Sequence, residues 1–190
     1  MNEEMVEKYL PFQNNFAAPY GNPWDKGDGI KLGQAVGANI INMHEAFFGV
    51  YFYPPESLTF GIFVNDDGKR FVNEDSYGAR IGYYCSQQRD QKIYMIIQNE
   101  DYEQSLYMER LPIIAVAETI EELESEAGFK EGSIVSTIKK YNKFSRNGSD
   151  TDFQKNKSWL KEIKNPPFAI VDYSFINQSS PAYSDKPGPL

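Results

Sequence analysis

The 190-residue chain carries 27 acidic against 19 basic residues, and this net charge of −8 argues against a nucleic-acid partner, because phosphate binding needs a basic surface. A hydrophobic content of 41% with 13 Tyr and 13 Phe belongs to a folded chain that has a core to fill or a pocket to line with rings. One cysteine, Cys85, and one histidine, His44, argue against an internal disulfide, cysteine metal clusters, and the usual Ser-His-Asp, Cys-His and multi-His zinc sites.

Residues 2–10 read as a short amphipathic helix, followed by a Pro/Gly/Asn-rich loop over 11–27. Asp28 is placed to N-cap a helix over 28–37, with Ile30, Ala35 and Val36 as its apolar contacts. The apolar and aromatic stretch 40–53 predicts one or two strands. Residues 58–65 predict another, and the turn Asp66-Asp67-Gly68 with a return over 70–73 completes a β-hairpin. A helix over 77–88 places Cys85 as a packed thiol, and KIYMIIQ at 92–98 reads as a buried strand.

A short strand is expected at 113–117. Thr119 and Glu122 have capping-box spacing and open an acidic helix that ends near Gly128. Ile134, Val135, Ile138, Tyr141 and Phe144 recur at helical spacing and predict a core-facing stripe. Residues 147–151 read as polar and flexible, and Pro166-Pro167 stops whatever precedes a last strand over 168–176. The lysines and arginines crowding the last third read as a solvated face. The fold class is α+β with an antiparallel component. No apolar run reaches 18 residues, so no membrane segment is expected in this chain, and no export signal is visible. Neither G-x-G-x-x-G nor a P-loop is present.

Three segments carry a resemblance. Gly27-Asp28-Gly29-Ile30-Lys31-Leu32 precedes Ala35, Gly37 and Ala38; Ile62-Phe63-Val64-Asn65 precedes Gly68-Lys69-Arg70-Phe71-Val72-Asn73-Glu74; and Ala117-Glu118-Thr119-Ile120-Glu121-Glu122-Leu123 precedes Tyr141-Asn142. In order and spacing they resemble the fumarate reductase/succinate dehydrogenase/3-ketosteroid dehydrogenase group of FAD-dependent oxidoreductases, over about residues 1–176. The resemblance implies that the dinucleotide-binding loop lies upstream, so the chain is expected to be a fragment that is inactive alone. Residues 1–45 would be a flanking strip of the FAD-binding domain, 46–165 the substrate-capping domain, and 166–190 a return strand toward the FAD-binding domain with a tail.

The resemblance also implies roles. Asp28, with Gly27 and Gly29, would contact FAD. Asn73 and Glu74 would hold substrate beside the flavin, and either Tyr77 or Arg80 would handle the proton. Tyr77 stands three residues beyond Glu74 and Arg80 six, and neither offset matches the family pattern. Phe48 and Tyr51 lie in the run FFGVYFY, an apolar wall that favours an apolar ketone or enone over a dicarboxylate as the small-molecule substrate. The other partner would be the remainder of the protein's own FAD-binding domain. The alternative is a free-standing small-molecule or protein-binding module that reuses the cap fold.

Overall fold

The structure is a computed structural model, and it describes residues 2–11, 22, 24–47, 55–104 and 111–174. The described residues fall into two compact units, 2–47 and 55–174.

In the smaller unit, α1 (Glu3–Tyr9) is capped by Asn2, whose side chain accepts from the Met5 N–H at 3.1 Å and donates to the Lys26 carbonyl at 2.8 Å. The second helix, α2, runs Asp28–Ala35, two residues short of the expected end. Its N-cap is Gly27 rather than Asp28, because the chain enters with φ +77°, a left-handed conformation that glycine adopts without steric cost. Asp28 is therefore the first helical residue and makes no cap bond. Residues 40–47 form no strand, and 48–53 lie outside the described residues.

The larger unit is built on a four-stranded antiparallel sheet in the order β1-β2-β4-β3: β1 Ile62–Asn65, β2 Ile93–Gln98, β3 Ile113–Ala117 and β4 Phe168–Asp172. Strand β4, expected as a return toward another domain, lies inside the sheet between β2 and β3. It pairs Met95 with Val171 and Val116 with Ala169. Its run FAIVD is buried in four of five positions, as an inner strand should be. One face meets helices α4 (Ile120–Glu126) and α5 (Ser133–Asn147) through a core of Ile62, Val64, Ile96, Ile170, Leu123, Ile134, Ile138 and Tyr141. Each of these aliphatic side chains contributes about 1.5–3 kcal/mol by leaving water. The opposite face is also buried at Phe63, Met95 and Val171, where Phe63 meets Tyr173 edge-on at 5.3 Å.

Three expectations change here. Residues 58–61 are not strand, because Pro55 opens a 3₁₀ turn over Glu56–Phe60 that buries Leu58. The hairpin's return is reduced to one bridge, Val64 with Arg70, since Arg70 and Glu74 turn their side chains inward instead of continuing a ladder. The stretch 147–151 is likewise no mere polar linker, for Asp150 is buried. The helical stripe holds: Ile134, Ile138 and Tyr141 are buried, with Val135 and Phe144 half-buried. Thr119 caps α4 by accepting from the Glu122 N–H at 3.2 Å. Glu124 caps α5 from below, accepting from the N–H groups of Gly132, Ile134 and Val135 at 2.5, 2.6 and 3.1 Å.

Candidate functional site

The polar corner starts at a tight turn. Asn65 Oδ1 accepts from the N–H groups of Asp67 and Lys69, and Gly68, at φ +71°, donates its N–H to the Asn65 carbonyl at 2.9 Å. The turn is docked on α5 by Thr137 Oγ1, which donates to the Gly68 carbonyl at 2.6 Å. Arg70 then points inward. Its guanidinium makes a forked pair with Glu74, Nε to Oε1 at 2.8 Å and Nη2 to Oε2 at 2.7 Å, while Nη1 reaches Asp150 Oδ2 at 2.8 Å. Lys155 completes the group, with Nζ 3.3 Å from Glu74 Oε2 and donating to the Gly61 carbonyl at 2.8 Å. The rings of Tyr141 and Phe153 each have their centroid 5.0 Å from the Arg70 guanidinium carbon.

Two cations and two carboxylates thus sit in one neutral, water-excluded cluster, in which the Glu74, Asp150 and Lys155 side chains have no exposure. Burial alone would raise the Glu74 pKa, but Lys155 and then Arg70 outweigh it and hold the carboxyl below its ordinary value. The same contest, with Arg70 as winner, depresses Asp150. Burial opposes the charge on Arg70 too, yet Glu74 and then Asp150 push its pKa up, so the guanidinium stays charged. Glu74 also accepts from the Phe63 N–H at 3.1 Å. With every face taken, Glu74 is turned away from solvent and holds the corner from behind, in contrast to the substrate contact expected of it.

Beyond the cluster the chain turns outward. Asn73 Oδ1 accepts from the Asp75 N–H at 2.9 Å, and its amide donates to the Gln154 carbonyl at 3.3 Å. Tyr77 is the N-cap residue of α3 (Gly78–Ser86), and its carbonyl accepts from the N–H groups of Arg80 and Ile81 at 2.8 and 3.2 Å. Ile81 and Cys85 face inward, while the opposite side of α3 is open. Tyr77 is 73% exposed, Arg80 is exposed, and Tyr83 and Tyr84 add two more rings at 5.7 Å from each other. The structure therefore brings Tyr77 and Arg80 to one surface beside Asn73. Phe48 and Tyr51 lie outside the described residues. His44 is exposed, and burial raises the Cys85 thiol pKa well above its ordinary value, so Cys85 does not suit nucleophilic chemistry.

A wide concavity of about 710 Å³ along β3 and α4 is lined by Val116, Glu118, Glu121, Glu122 and Glu126, far more acidic than a carbonyl or carboxylate ligand would favour. Among the described residues no group of His, Cys, Asp and Glu could hold a metal ion, and no helix is long and apolar enough to cross a membrane.

In the smaller unit, the Gly27-Asp28-Gly29 turn is open. Asp28 is exposed and only 3.9 Å from Lys31, a Cβ on Gly29 would meet nothing within 4 Å, and α2 buries no residue. The first intrahelical bond here is Lys31 N–H to the Gly27 carbonyl, so the N–H groups of residues 28–30 have no partner in the helical ladder. An exposed carboxylate beside free N–H groups fits the hydroxyl-bearing part of a dinucleotide, and its charge makes it a poor neighbour for a diphosphate.

The chain belongs to the family described as FAD binding domain, whose model matches residues 2–183, and FAD is that family's cofactor. It is 29% identical to the NADH:acrylate oxidoreductase of Vibrio harveyi, over 88% of this chain and 19% of that protein. It is also 29% identical to the 3-oxosteroid 1-dehydrogenase of Mycolicibacterium smegmatis, over 83% of this chain and 33% of that one. Among solved structures, the 3-ketosteroid-Δ4-(5α)-dehydrogenase of Rhodococcus jostii in complex with 4-androstene-3,17-dione matches with a TM-score of 0.79 at 31% identity, over 91% of this chain and 36% of that one. The chain thus spans a fifth to a third of the length of these curated relatives.

The residues that sequence reasoning missed are Arg70, Asp150 and Lys155. Arg70 had a signal, since it stands four positions before Glu74. Asp150, in the stretch expected to be polar and flexible, and Lys155, among the basic residues expected on a solvated face yet buried, had none, being some 80 positions away.

Proposed function

We propose that this chain supplies the substrate side of an FAD-dependent oxidoreductase that acts on a C–C bond next to a carbonyl, with Tyr77 or Arg80 handling the proton. The observation that carries the reading is the corner itself: a Tyr and an Arg on one exposed surface, fixed from behind by a buried ion cluster. On this reading residues 46–165 cap the active site, 1–45 are a strip of the FAD-binding domain, and 166–190 lead back to it. Bound FAD would supply the two-electron chemistry, with Asp28, Gly27 and Gly29 holding a hydroxyl-bearing part of it.

The chain's own residues do the rest. A group that moves a proton at the carbon beside the carbonyl must reach that carbon and be held in place. Tyr77 and Arg80 meet both needs: they are exposed, and they sit at a corner whose backbone is tied to a rigid cluster. Glu74 takes no part in contact and acts by fixing Arg70 and the strand end. Asn73 lies on the open side of the corner and is free to orient a carbonyl with its remaining amide hydrogen. The rings of Tyr77, Tyr83 and Tyr84 suit a flat, apolar ketone or enone better than a dicarboxylate, which would need a second cation. The names of the relatives agree in chemistry, because acrylate and 3-oxosteroids both present a carbonyl beside a C–C bond that can gain or lose hydrogen.

The test is turnover by the FAD-bound protein that carries this sequence, on a panel of 3-oxosteroids, acrylate and fumarate, with Tyr77→Phe and Arg80→Lys variants. A positioned acid or base contributes about 10²–10⁴ to rate, so one of the two changes should lower kcat by that factor. If neither lowers it more than about tenfold, the assignment fails. If no member of the panel is turned over and FAD is not retained, the binding-module reading replaces it.

A further inference from the structure

The buried cluster ends at Glu74, yet the residues that would meet substrate begin at Tyr77. Between them the chain has two short-range bonds of its own, from the Ser76 N–H to the Asn73 carbonyl at 3.2 Å and from the Asp75 N–H to Asn73 Oδ1 at 2.9 Å, and α3 has no side-chain cap. Further restraint comes from far away in sequence. The Asn156 N–H donates to Asp75 Oδ2 at 2.5 Å, and Asn73 donates to the Gln154 carbonyl, both across 81 positions. Asp150 and Lys155 of the same loop hold Arg70 and Glu74 from beneath.

The loop is itself shaped for this. Asp150 accepts from the N–H groups of Asp152, Phe153 and Lys155, and its carbonyl accepts from that of Gln154 at 3.1 Å. Gln154 lies in the left-handed region at φ +61°, which a non-glycine residue keeps only where its surroundings over-determine it. The carbonyl of that strained residue is the one Asn73 meets.

We infer that the 150–156 loop is the positioning element of the corner, with Asp75 and Asn156 as the clasp that sets the direction in which Tyr77 and Arg80 are presented. The inference rests on the reading of Tyr77 and Arg80 given above. Its physical basis is that a misplacement of about 1 Å in a positioned group can cost about 10²-fold in rate, and a clasp two residues from Tyr77 controls such a displacement. Asp75 is a positioning residue, since it acts through the backbone of its neighbours.

Substitutions in the buried cluster could unfold the unit, so the test uses the accessible clasp. Asp75→Ala removes the acceptor for the Asn156 N–H, whereas Asp75→Asn keeps an acceptor oxygen and discards the charge. Amide hydrogen exchange of this chain is measured for residues 76–81 and for β2 as an internal reference. Asp75→Ala should speed exchange at Arg80 and Ile81 by about tenfold or more while β2 stays unchanged, and Asp75→Asn should restore slow exchange. The inference is overturned if residues 76–81 are unaffected, if β2 accelerates equally, or if Asp75→Asn behaves like Asp75→Ala. No substrate or cofactor enters this experiment, so its outcome is independent of whether the oxidoreductase reading holds. In the FAD-bound protein the same pair adds a second readout: Asp75→Ala should lower kcat about tenfold or more with KM within about twofold, and Asp75→Asn should recover it. Equal changes in kcat and KM in both variants would refute the positioning role.

Discussion

Lys155→Met removes one charge from a cluster that is neutral as built, and replaces it with a side chain of similar length. The lysine has no exposed side-chain surface, and its Nζ lies 3.3 Å from Glu74 Oε2. At an effective dielectric of about 20, that separation corresponds to roughly 5 kcal/mol of attraction lost. The burial cost of the lysine's own charge disappears with it and offsets part of this, leaving about 3 kcal/mol as the electrostatic penalty. The Gly61 carbonyl also loses its lysine donor, which adds about 1 kcal/mol. The sum, about 4 kcal/mol, agrees with the usual cost of breaking a buried pair and should lower Tm by about 8–16 °C. Urea unfolding from pH 5 to 7 checks it. In the variant only Arg70 opposes the burial of Glu74, so the folded-state pKa of this carboxyl rises relative to the parent and the variant loses less stability as pH falls. The deficit should therefore narrow by up to about 1.4 kcal/mol per pH unit. A cost below about 1 kcal/mol at pH 7, or a deficit that is flat over this range, would refute the account of the cluster.

In the parent chain, Glu74 and Asp150 have depressed pKa values, so their stabilisation is complete above their ordinary values of 4.5 and 3.8 and is lost as pH falls through the folded-state values. Thermal melts should hold steady from pH 7 to 5 and drop below about pH 4, and an early loss near pH 6 would contradict this. Gly68→Ala should destabilise by about 1–3 kcal/mol, since the new Cβ would sit at φ +71° and 2.7 Å from Ser133 Oγ; a calorimetric Tm within 1 °C of the parent would be the contrary result. Glu124→Ala strips three N–H groups at the start of α5 of their acceptor and should cost about 2–3 kcal/mol, with exchange accelerated first at Ile134 and Val135.

Periodicity and turn chemistry made much of the larger unit legible. The α5 stripe, the Thr119 cap and the buried run at 93–98 each express a local rule, and each stands in the structure. The rules failed where a distant partner decides. Hairpin logic predicts a return strand after Gly68, yet Arg70 and Glu74 leave the ladder because Asp150 and Lys155 offer them a buried electrostatic site. That exchange depends on a contact across some 80 positions, which no window of sequence can contain. The inner position of β4 is also non-local, since strand order follows from how the sheet closes over α4 and α5. Asp28 stands one residue inside the helix instead of at its cap for a local reason: Gly27 takes the left-handed conformation at the cap position.

The arrangement of charge in the larger unit separates two tasks that a single pair of residues could not perform together. A group that handles a proton must be reachable and keep freedom to exchange it, whereas a group that fixes geometry must be desolvated and fully paired. On the proposed reading the division falls between Glu74 and Tyr77, three residues apart. On one side, four charges sum to zero and are closed to solvent by Tyr141 and Phe153. On the other, Arg80 carries a positive charge at an exposed, ring-lined surface, with no ion pair to it among the described residues. Because the buried set is neutral, it projects little field onto the corner, where the nearby charges are those of Arg80 and Asp75. On the proposed reading, a carbonyl oxygen arriving at the corner would meet one cation, one carboxylate and several rings, an arrangement suited to a neutral polar atom on an otherwise apolar molecule.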